Sequence, residues 1–340
     1  MEKKKYIFSQ KTSSYYFNTE FGYLEQLVDR AHAVIITDEN IFGLYKKKLK
    51  GWNLIVLKPG EQYKVQATVD DIVQQLIAYK VDRKSFLIGI GGGVVTDITG
   101  YAASVYMRGI SFGFLPVSLL AMVDAGIGGK NGIDVGAYKN FVGTIRQPDF
   151  LLYDSSFLKT LPQSEWTNGF AEIIKHACIK DARLFEELEQ NSISYYKNNT
   201  DEAGKLIKRN AIIKSNVVLA DEFEQGERKL LNFGHTWGHA VETKLSIPHG
   251  HAVAIGMVMA CRLSEKLTGF NQSHRITDLL KKYGLPVHAD VNKKEIFEVL
   301  KMDKKKDRSS MNYVLLNDIG VAIIRPIPFD ELENLISDES

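Results

Sequence analysis

Two kinds of segment alternate over the first 150 residues, and this alternation constrains the fold more than any other feature of the chain. "AVIITDEN" (33–40), "NLIVLK" (53–58) and "SFLIGIGGG" (85–93) are short apolar runs closed by turn residues, which predicts buried strands. Between the last two, "TVDDIVQQLIAYKV" (68–81) has helical spacing, with Ile72, Val73, Leu76, Ile77 and Tyr79 as the expected apolar face. A helix beginning near Thr96 leads to a further strand, "SFGFLPVS" (111–118). Strands alternating with helices imply βαβ units, and so an α/β domain with a Rossmann-like parallel sheet over residues 1–155.

The texture then changes. "SEWTNGFAEIIKHACIKDARLFEELEQN", "DEAGKLIKRNAIIKSNVVLADEF" and "HAVAIGMVMACRLSEKLTG" all carry helical periodicity, so a mostly α-helical C-terminal domain is expected over residues 156–340. Near the end, "KMDKKKDRSSMNYVLLNDIG" reads as a basic loop running into a short strand. A chain of 340 residues is too long for one compact core, which agrees with two domains. With 44% hydrophobic and 25% charged residues and a net charge of +2, it reads as a soluble globular protein, with nothing that points to nucleic acid or an anionic membrane. Cys178 and Cys261 form neither a metal-ligand spacing nor a disulfide framework, which fits the reducing cytoplasm. No apolar stretch follows the basic start "MEKKKYIFSQ", so no secretory signal is expected. The most apolar stretch, from Ile110, contains Pro116 and stops at Asp124, too short to span a bilayer.

Several polar groups stand out against this background. Gly91, Gly92 and Gly93 lie at a strand-to-helix junction, where backbone amides and the helix dipole suit a phosphate; a plain tight turn would need only one of them. The stretch "VDAGIGGKNGIDVGAYKNFVGTIRQP" (123–148) sets Asp124, Lys130, Asn131, Lys139, Asn140 and Arg146 among glycines. It reads as a long functional loop, anchored by Ile127, Ile133, Phe141, Val142 and Ile145, whose lysines suit a small anion. Glu172 and Lys175 are neighbours on one helical face, and Lys214 lies inside an apolar run, where its charge requires a partner. In "LLNFGHTWGHAVE" (230–242), His235 and His239 share one helix face, with Glu242 three residues further on. "IPHGHAVAIGM" adds His249 and His251. Clustered histidines with one carboxylate are the donor set of an open zinc site, and spacing allows either His235 with His239 or His235 with His249 as ligands.

Taken together, "GGGVVTDITGYAAS", "SVYMRGI", "VDAGIGGK", "KNFVGTIRQP", "GFAEIIKHA", "ERKLLNFGHTWGHAVE" and "HGHAVAIGM" resemble the 3-dehydroquinate synthase family, in the same order and over residues 55–310. The wider family includes sedoheptulose-phosphate cyclases and deoxy-inosose synthase. The resemblance implies a phosphate-eliminating lyase of aromatic amino acid biosynthesis (the shikimate pathway) that uses NAD and one divalent metal, Zn or Co. Its substrate would be 3-deoxy-D-arabino-heptulosonate 7-phosphate (DAHP), transiently oxidised, stripped of phosphate, re-reduced and closed by an internal aldol step. It also implies metal ligands Glu172, His235 and His249, leaving His239 to assist proton transfer. Asp124, Lys130, Lys175 and Asn232 join His239 in the catalytic set, and Asn140, Lys214 and Arg228 bind substrate. Either Lys304 or Lys305 adds a phosphate contact. Arg108 matches an arginine that reaches the neighbouring subunit's site, which implies a homodimer. For NAD, the resemblance implies Glu61 and Lys64 at the adenosine ribose and the turn Gly93, Val94, Val95, Thr96 and Asp97 at the pyrophosphate. Val117, Ser118, Lys130, Lys139, Phe157, Leu158, Lys159 and Thr160 complete the dinucleotide set.

Four motifs depart from the family pattern: Thr96 for glycine, Val117-Ser118 for a threonine pair, Ala125-Gly126 for two serines, and His251 for glutamate. Thr96 and the Asp-Ala-Gly stretch lean toward the sedoheptulose 7-phosphate cyclases, whereas Lys214, Asn232 and His239 follow the dehydroquinate synthases and weigh more, because they would touch the group in which the substrates differ. A metal-dependent polyol dehydrogenase would need far fewer cationic side chains, and a sensor protein would not need the complete ligand and acid–base set.

Overall fold

The computed structural model describes residues 1–136, 138–304 and 309–337, with backbone alone for 302–304. Along the chain run β1 (Glu2–Ile7), β2 (Thr12–Phe17), α1 (Leu24–Leu27), β3 (Ala33–Asp38), α2 (Glu39–Leu49), β4 (Asn53–Leu57) and α3 (Gln66–Ala78). Next come β5 (Phe86–Gly91), α4 (Gly93–Val105), β6 (Ser111–Pro116), β7 (Lys130–Val135), β8 (Tyr138–Ile145) and β9 (Phe150–Leu152). Helices α5 (Gln163–Lys180), α6 (Ala182–Gln190), α7 (Ile193–Asn198), α8 (Thr200–Ala220), α9 (His235–Leu245), α10 (His249–Thr268), α11 (Ser273–Lys282) and α12 (Lys293–Lys304) follow, then β10 (Ser310–Asp318), β11 (Val321–Pro328) and α13 (Phe329–Ser337). No helix among the described residues is long and apolar enough to cross a membrane.

The chain divides into two compact units, Met1–Pro162 with Asn199–Phe223, and Gln163–Asn198 with Glu224–Ser340. This differs from a single boundary after residue 155, because α8 belongs to the first unit. It packs on β1 and on a π-helical turn at Ala121–Ala125, and its Lys214 is buried beside Asp124 of that turn. A helical pattern shows that α8 has an apolar face; it does not show which unit covers that face.

The first unit is built on a seven-stranded sheet of order β1-β2-β9-β6-β5-β3-β4, parallel except for the β1–β2 pair. Strands β3 and β5 are buried on both faces, which explains their near-continuous Ile/Val/Leu runs. The chain leaves β3 toward β4 and then returns to the other side of β3 as β5. The strand order therefore reverses between β3 and β5, and the crevice at their C-terminal ends is where open α/β sheets bind ligands. The glycine turn after β5 lies at that end.

Three expectations need correction here. On α3 the buried face is Val69, Ile72 and Leu76, while Ile77 and Tyr79 are 63% and 45% exposed. The stretch 123–148 is not a loop throughout: it forms the antiparallel hairpin β7–β8, in which Ile133 is buried but Phe141 is 70% exposed. Helix α4 starts at Gly93 rather than Thr96.

The second unit is mainly helical, with one hairpin, β10–β11, turned by Gly320 at φ +85°. Helix α10 is its centre: it packs on α5, α9, α11 and β10, and nearly every residue from Ala252 to Ser264 is buried.

Candidate active site

In the second unit three side chains from three helices converge. Glu172 of α5 is fully buried; His235 opens α9 and His249 opens α10. The Nε2 atoms of His235 and His249 lie 3.4 and 3.3 Å from the Glu172 Oε1. Ligand atoms bound to zinc at about 2.0–2.1 Å with tetrahedral angles stand about 3.3 Å apart, so these separations suit one shared cation. The distal nitrogens are also engaged. His235 Nδ1 faces the Phe233 carbonyl at 3.3 Å, and His249 Nδ1 faces Glu242 Oε2 at 3.1 Å. Such outer partners leave each Nε2 lone pair for a metal. Burial, then Lys175, hold His235 well below its usual pKa, so it is a neutral imidazole. For His249, burial opposes the charge, but Glu172 and Glu242 outweigh it and push the pKa up to about 9. The donor set and its geometry thus fit a divalent cation.

Glycines bring these helices close enough. At Gly256 of α10 an added Cβ would meet the Gly234 carbonyl oxygen at 1.8 Å, so α9 and α10 approach along a face with no side chain. At Gly250 a Cβ would meet the Asn168 carbonyl oxygen at 2.5 Å, and the Gly250 amide donates to the Asn168 side chain. That contact ties the start of α10, next to His249, to the helix that carries Glu172. Gly256→Ala is expected to destabilise the protein by at least about 1–3 kcal/mol and to weaken metal retention, because overpacking forces the two histidine helices apart. Thermal unfolding with and without zinc measures both effects.

Around this cluster, Lys175 is buried and ion-paired with Glu172, three residues away on α5. His239 is exposed, its ring 5.1 Å from that of His235 and 6.1 Å from that of His249. With Glu242 and His249 it forms a second close group. Arg228 is buried, and the Asn232 amide donates to Glu224 at 2.8 Å. His251 is half-buried at the start of α10 and belongs to none of the potential ligand groups among the described residues. The side chain of Lys304 and the whole of Lys305 lie outside the described residues.

In the first unit, α4 starts at Gly93 with Gly92 as its cap and no side chain capping it, so the first-turn amides of Gly93, Val94 and Val95 have no partner within the helix. Lys64 is buried: its Nζ donates to Asp97 at 2.6 Å and to Asn140, and Glu61 lies 3.9 Å away. Burial opposes the charge on Lys64, but Asp97 and Glu61 outweigh it and raise its pKa. Asp134, which the sequence reading missed, locks the hairpin to this group, accepting from the Asn140 amide at 2.7 Å while its own amide donates to the Lys64 carbonyl. Thr96 is fully buried and its hydroxyl donates to the Gly93 carbonyl, so it serves its own helix. The Val117 amide donates to Gly91 at 3.0 Å, and Ser118 Oγ accepts from the Ala121 amide. Phe157 and Leu158 are buried, Lys159 and Thr160 exposed, and Thr160 meets the Tyr45 hydroxyl at 2.6 Å. Lys214 is ion-paired with the Asp124 carboxylate at 2.9 Å and donates to the Asp124 carbonyl at 2.8 Å. Lys130 and Lys139 are exposed on the hairpin. Arg108 is exposed in a turn where Met107, Arg108 and Gly109 all have positive φ.

The family model described as 3-dehydroquinate synthase N-terminal matches residues 54–168, and the one described as 3-dehydroquinate synthase C-terminal matches residues 169–306. Among curated relatives, the 3-dehydroquinate synthase of Campylobacter curvus is 40% identical over 92% of each chain. That of a Nitratiruptor species is 41% identical over 85% of each. Among solved structures, 2-epi-5-epi-valiolone synthase from Streptomyces hygroscopicus, with NAD+ and Zn2+ bound, superposes with a TM-score of 0.86 at 27% identity, covering 99% of this chain and 98% of that one. A 2-deoxy-scyllo-inosose synthase superposes at 0.85 with 23% identity, over 98% of this chain and 99% of that one, a likeness of fold. With family models matching residues 54–168 and 169–306 and relatives at two-fifths identity over nearly the whole length, the chain belongs to the 3-dehydroquinate synthase family.

Proposed function

We propose that this enzyme converts DAHP to 3-dehydroquinate and phosphate in the shikimate pathway, with NAD and one zinc or cobalt ion. The observation that carries the reading is the convergence of Glu172, His235 and His249, with both histidine Nε2 atoms 3.3–3.4 Å from one Glu172 oxygen, in a chain 40% identical to curated 3-dehydroquinate synthases. When bound, the cation would acidify the hydroxyl to be oxidised, and NAD would take a hydride from the substrate and return it. His239, exposed one helical turn from His235, exchanges protons with the substrate. Arg228 grips the substrate carboxylate with its planar fork. Lys175, Asn232, the lysine at 304 or 305, Asp124, Lys130, Asn140 and Lys214 hold the hydroxyls and phosphate. The start of α4, from Gly93 to Asp97, would hold the pyrophosphate of NAD, with Glu61 and Lys64 at the ribose, and Val117, Ser118, Lys139 and residues 157–160 alongside.

One assay tests this reading. Metal-loaded protein given DAHP and NAD is expected to release phosphate and dehydroquinate without accumulating NADH. Steady NADH accumulation would indicate a dehydrogenase instead, and preferential turnover of sedoheptulose 7-phosphate would indicate a sugar cyclase.

We also read the enzyme as a cytoplasmic homodimer, with Arg108 acting in the neighbouring copy's site. The exposed Arg108 and the positive φ angles around it support this, as do the two buried free thiols, Cys178 and Cys261, for the compartment. Arg108→Ala is expected to lower kcat/KM at least about tenfold with an unchanged melting temperature, since it removes one charge-assisted hydrogen bond. Mixing it with His239→Ala should restore part of the rate, and no recovery would count against a shared site.

A further inference from the structure

Helix α9 carries a third functional side chain beyond its two histidines. His235, His239 and Glu242 stand at i, i+4 and i+7, on one face of the helix. Glu242 is only 5% exposed, and a buried carboxylate is costly unless it is paired. Its Oε2 lies 3.1 Å from His249 Nδ1, while the same ring's Nε2 lies 3.3 Å from Glu172 Oε1. An imidazole offers a cation only one nitrogen, and which one is settled by the hydrogen bond that the other makes. We infer that Glu242 is a positioning residue: by accepting the Nδ1 proton of His249 it fixes that ring's tautomer and aims Nε2 at the cation shared with Glu172 and His235.

The inference rests on the proposed metal site and deepens it. Without an acceptor at Nδ1 the ring has two tautomers and two orientations related by a half-turn, and only one combination faces Glu172 with a lone pair. The Gly250–Asn168 contact fixes where the His249 backbone sits, but not which edge of its ring faces inward. Glu242 supplies that remaining constraint from a different helix.

The first measurement uses the unaltered protein. Loaded with zinc and labelled with nitrogen-15, it is expected to show His249 protonated at Nδ1 and metal-bound at Nε2, with one zinc per chain. The opposite tautomer, or a second tight zinc lost on Glu242 substitution, overturns the inference. The second compares variants by chelator competition and by the visible spectrum of the cobalt form. Glu242→Met should weaken zinc binding by about 10–100-fold and alter the cobalt spectrum, the usual effect of losing an outer hydrogen bond to a ligand. Glu242→Gln keeps an acceptor and should recover most of that loss. Unchanged zinc affinity in the Met variant, or equal loss in both, overturns the inference while leaving the metal site standing. Failure of the unaltered protein to bind zinc at all overturns the catalytic reading itself.

Discussion

Replacing His235 with alanine is expected to remove metal and turnover together, whereas His239→Ala keeps the metal and loses rate. The two histidines are one helical turn apart, and His235 presents a nitrogen to Glu172, at 3.4 Å, with its other nitrogen turned to a backbone carbonyl. A site of three protein ligands cannot lose one cheaply. Structural zinc sites, with four ligands, bind with about 10–16 kcal/mol, so one ligand's share corresponds to about 10²–10³ in affinity. On the proposed assignment His239 is not a ligand. As a proton-transfer group its removal should lower kcat by about 10²–10⁴. Metal content after gel filtration and single-turnover rates separate the two outcomes. Equal metal loss in both variants would contradict this ligand assignment.

Metal affinity is expected to rise about tenfold per pH unit from neutrality toward pH 9 and then level off. The cause is His249. In the metal-free protein Glu172 and Glu242 raise its pKa from 6.5 to about 9 against the effect of burial, so it is cationic at neutral pH, and a metal must displace its Nε2 proton. His235, held well below 6.5, is already neutral and adds nothing to this slope. Calorimetry in buffers of different ionisation enthalpy should record about one proton released per metal bound at neutral pH, and none above the plateau. The same shift has a counterpart in stability. A raised histidine pKa stabilises the metal-free fold below the unfolded value of 6.5, and that contribution fades as the pH rises through about 9. A flat profile would place the proton elsewhere.

How much of this was legible in the sequence depended on the kind of signal. Strands β3, β4 and β5 were readable because strands in a parallel sheet lie between covering layers and become near-continuous apolar runs. Strands β1 and β2 were not. β1 is an edge strand that carries Lys3, Lys4 and Lys5, the kind of sequence that protects an edge and looks like a charged tail. The β7–β8 hairpin was read as a loop because its glycines and exposed residues break the alternation. At the site, His235 and His249 were both visible, but spacing alone could not choose between His249 and His239, since the choice depends on how α10 meets α9. Resemblance chose His249, and the geometry brings it to Glu172 and His235. The part played by Glu242 was within reach: its seven-residue offset from His235 puts both on one helical face. Asp134 carried no such mark, because the turn of the hairpin is what brings it to Lys64 and Asn140.

Helix α8 has a consequence for how the chain is made. The sheet and the π-helical turn of the first unit are complete in sequence by residue 162, but the helix that covers that turn and neutralises Asp124 arrives only with residues 199–223, after three helices of the other unit. A nascent chain leaving the ribosome must therefore hold its first layer open while more than thirty further residues are synthesised. A gene truncated after residue 162 would encode a body lacking its last stave, and supplying residues 199–223 as a separate peptide is the natural way to close it.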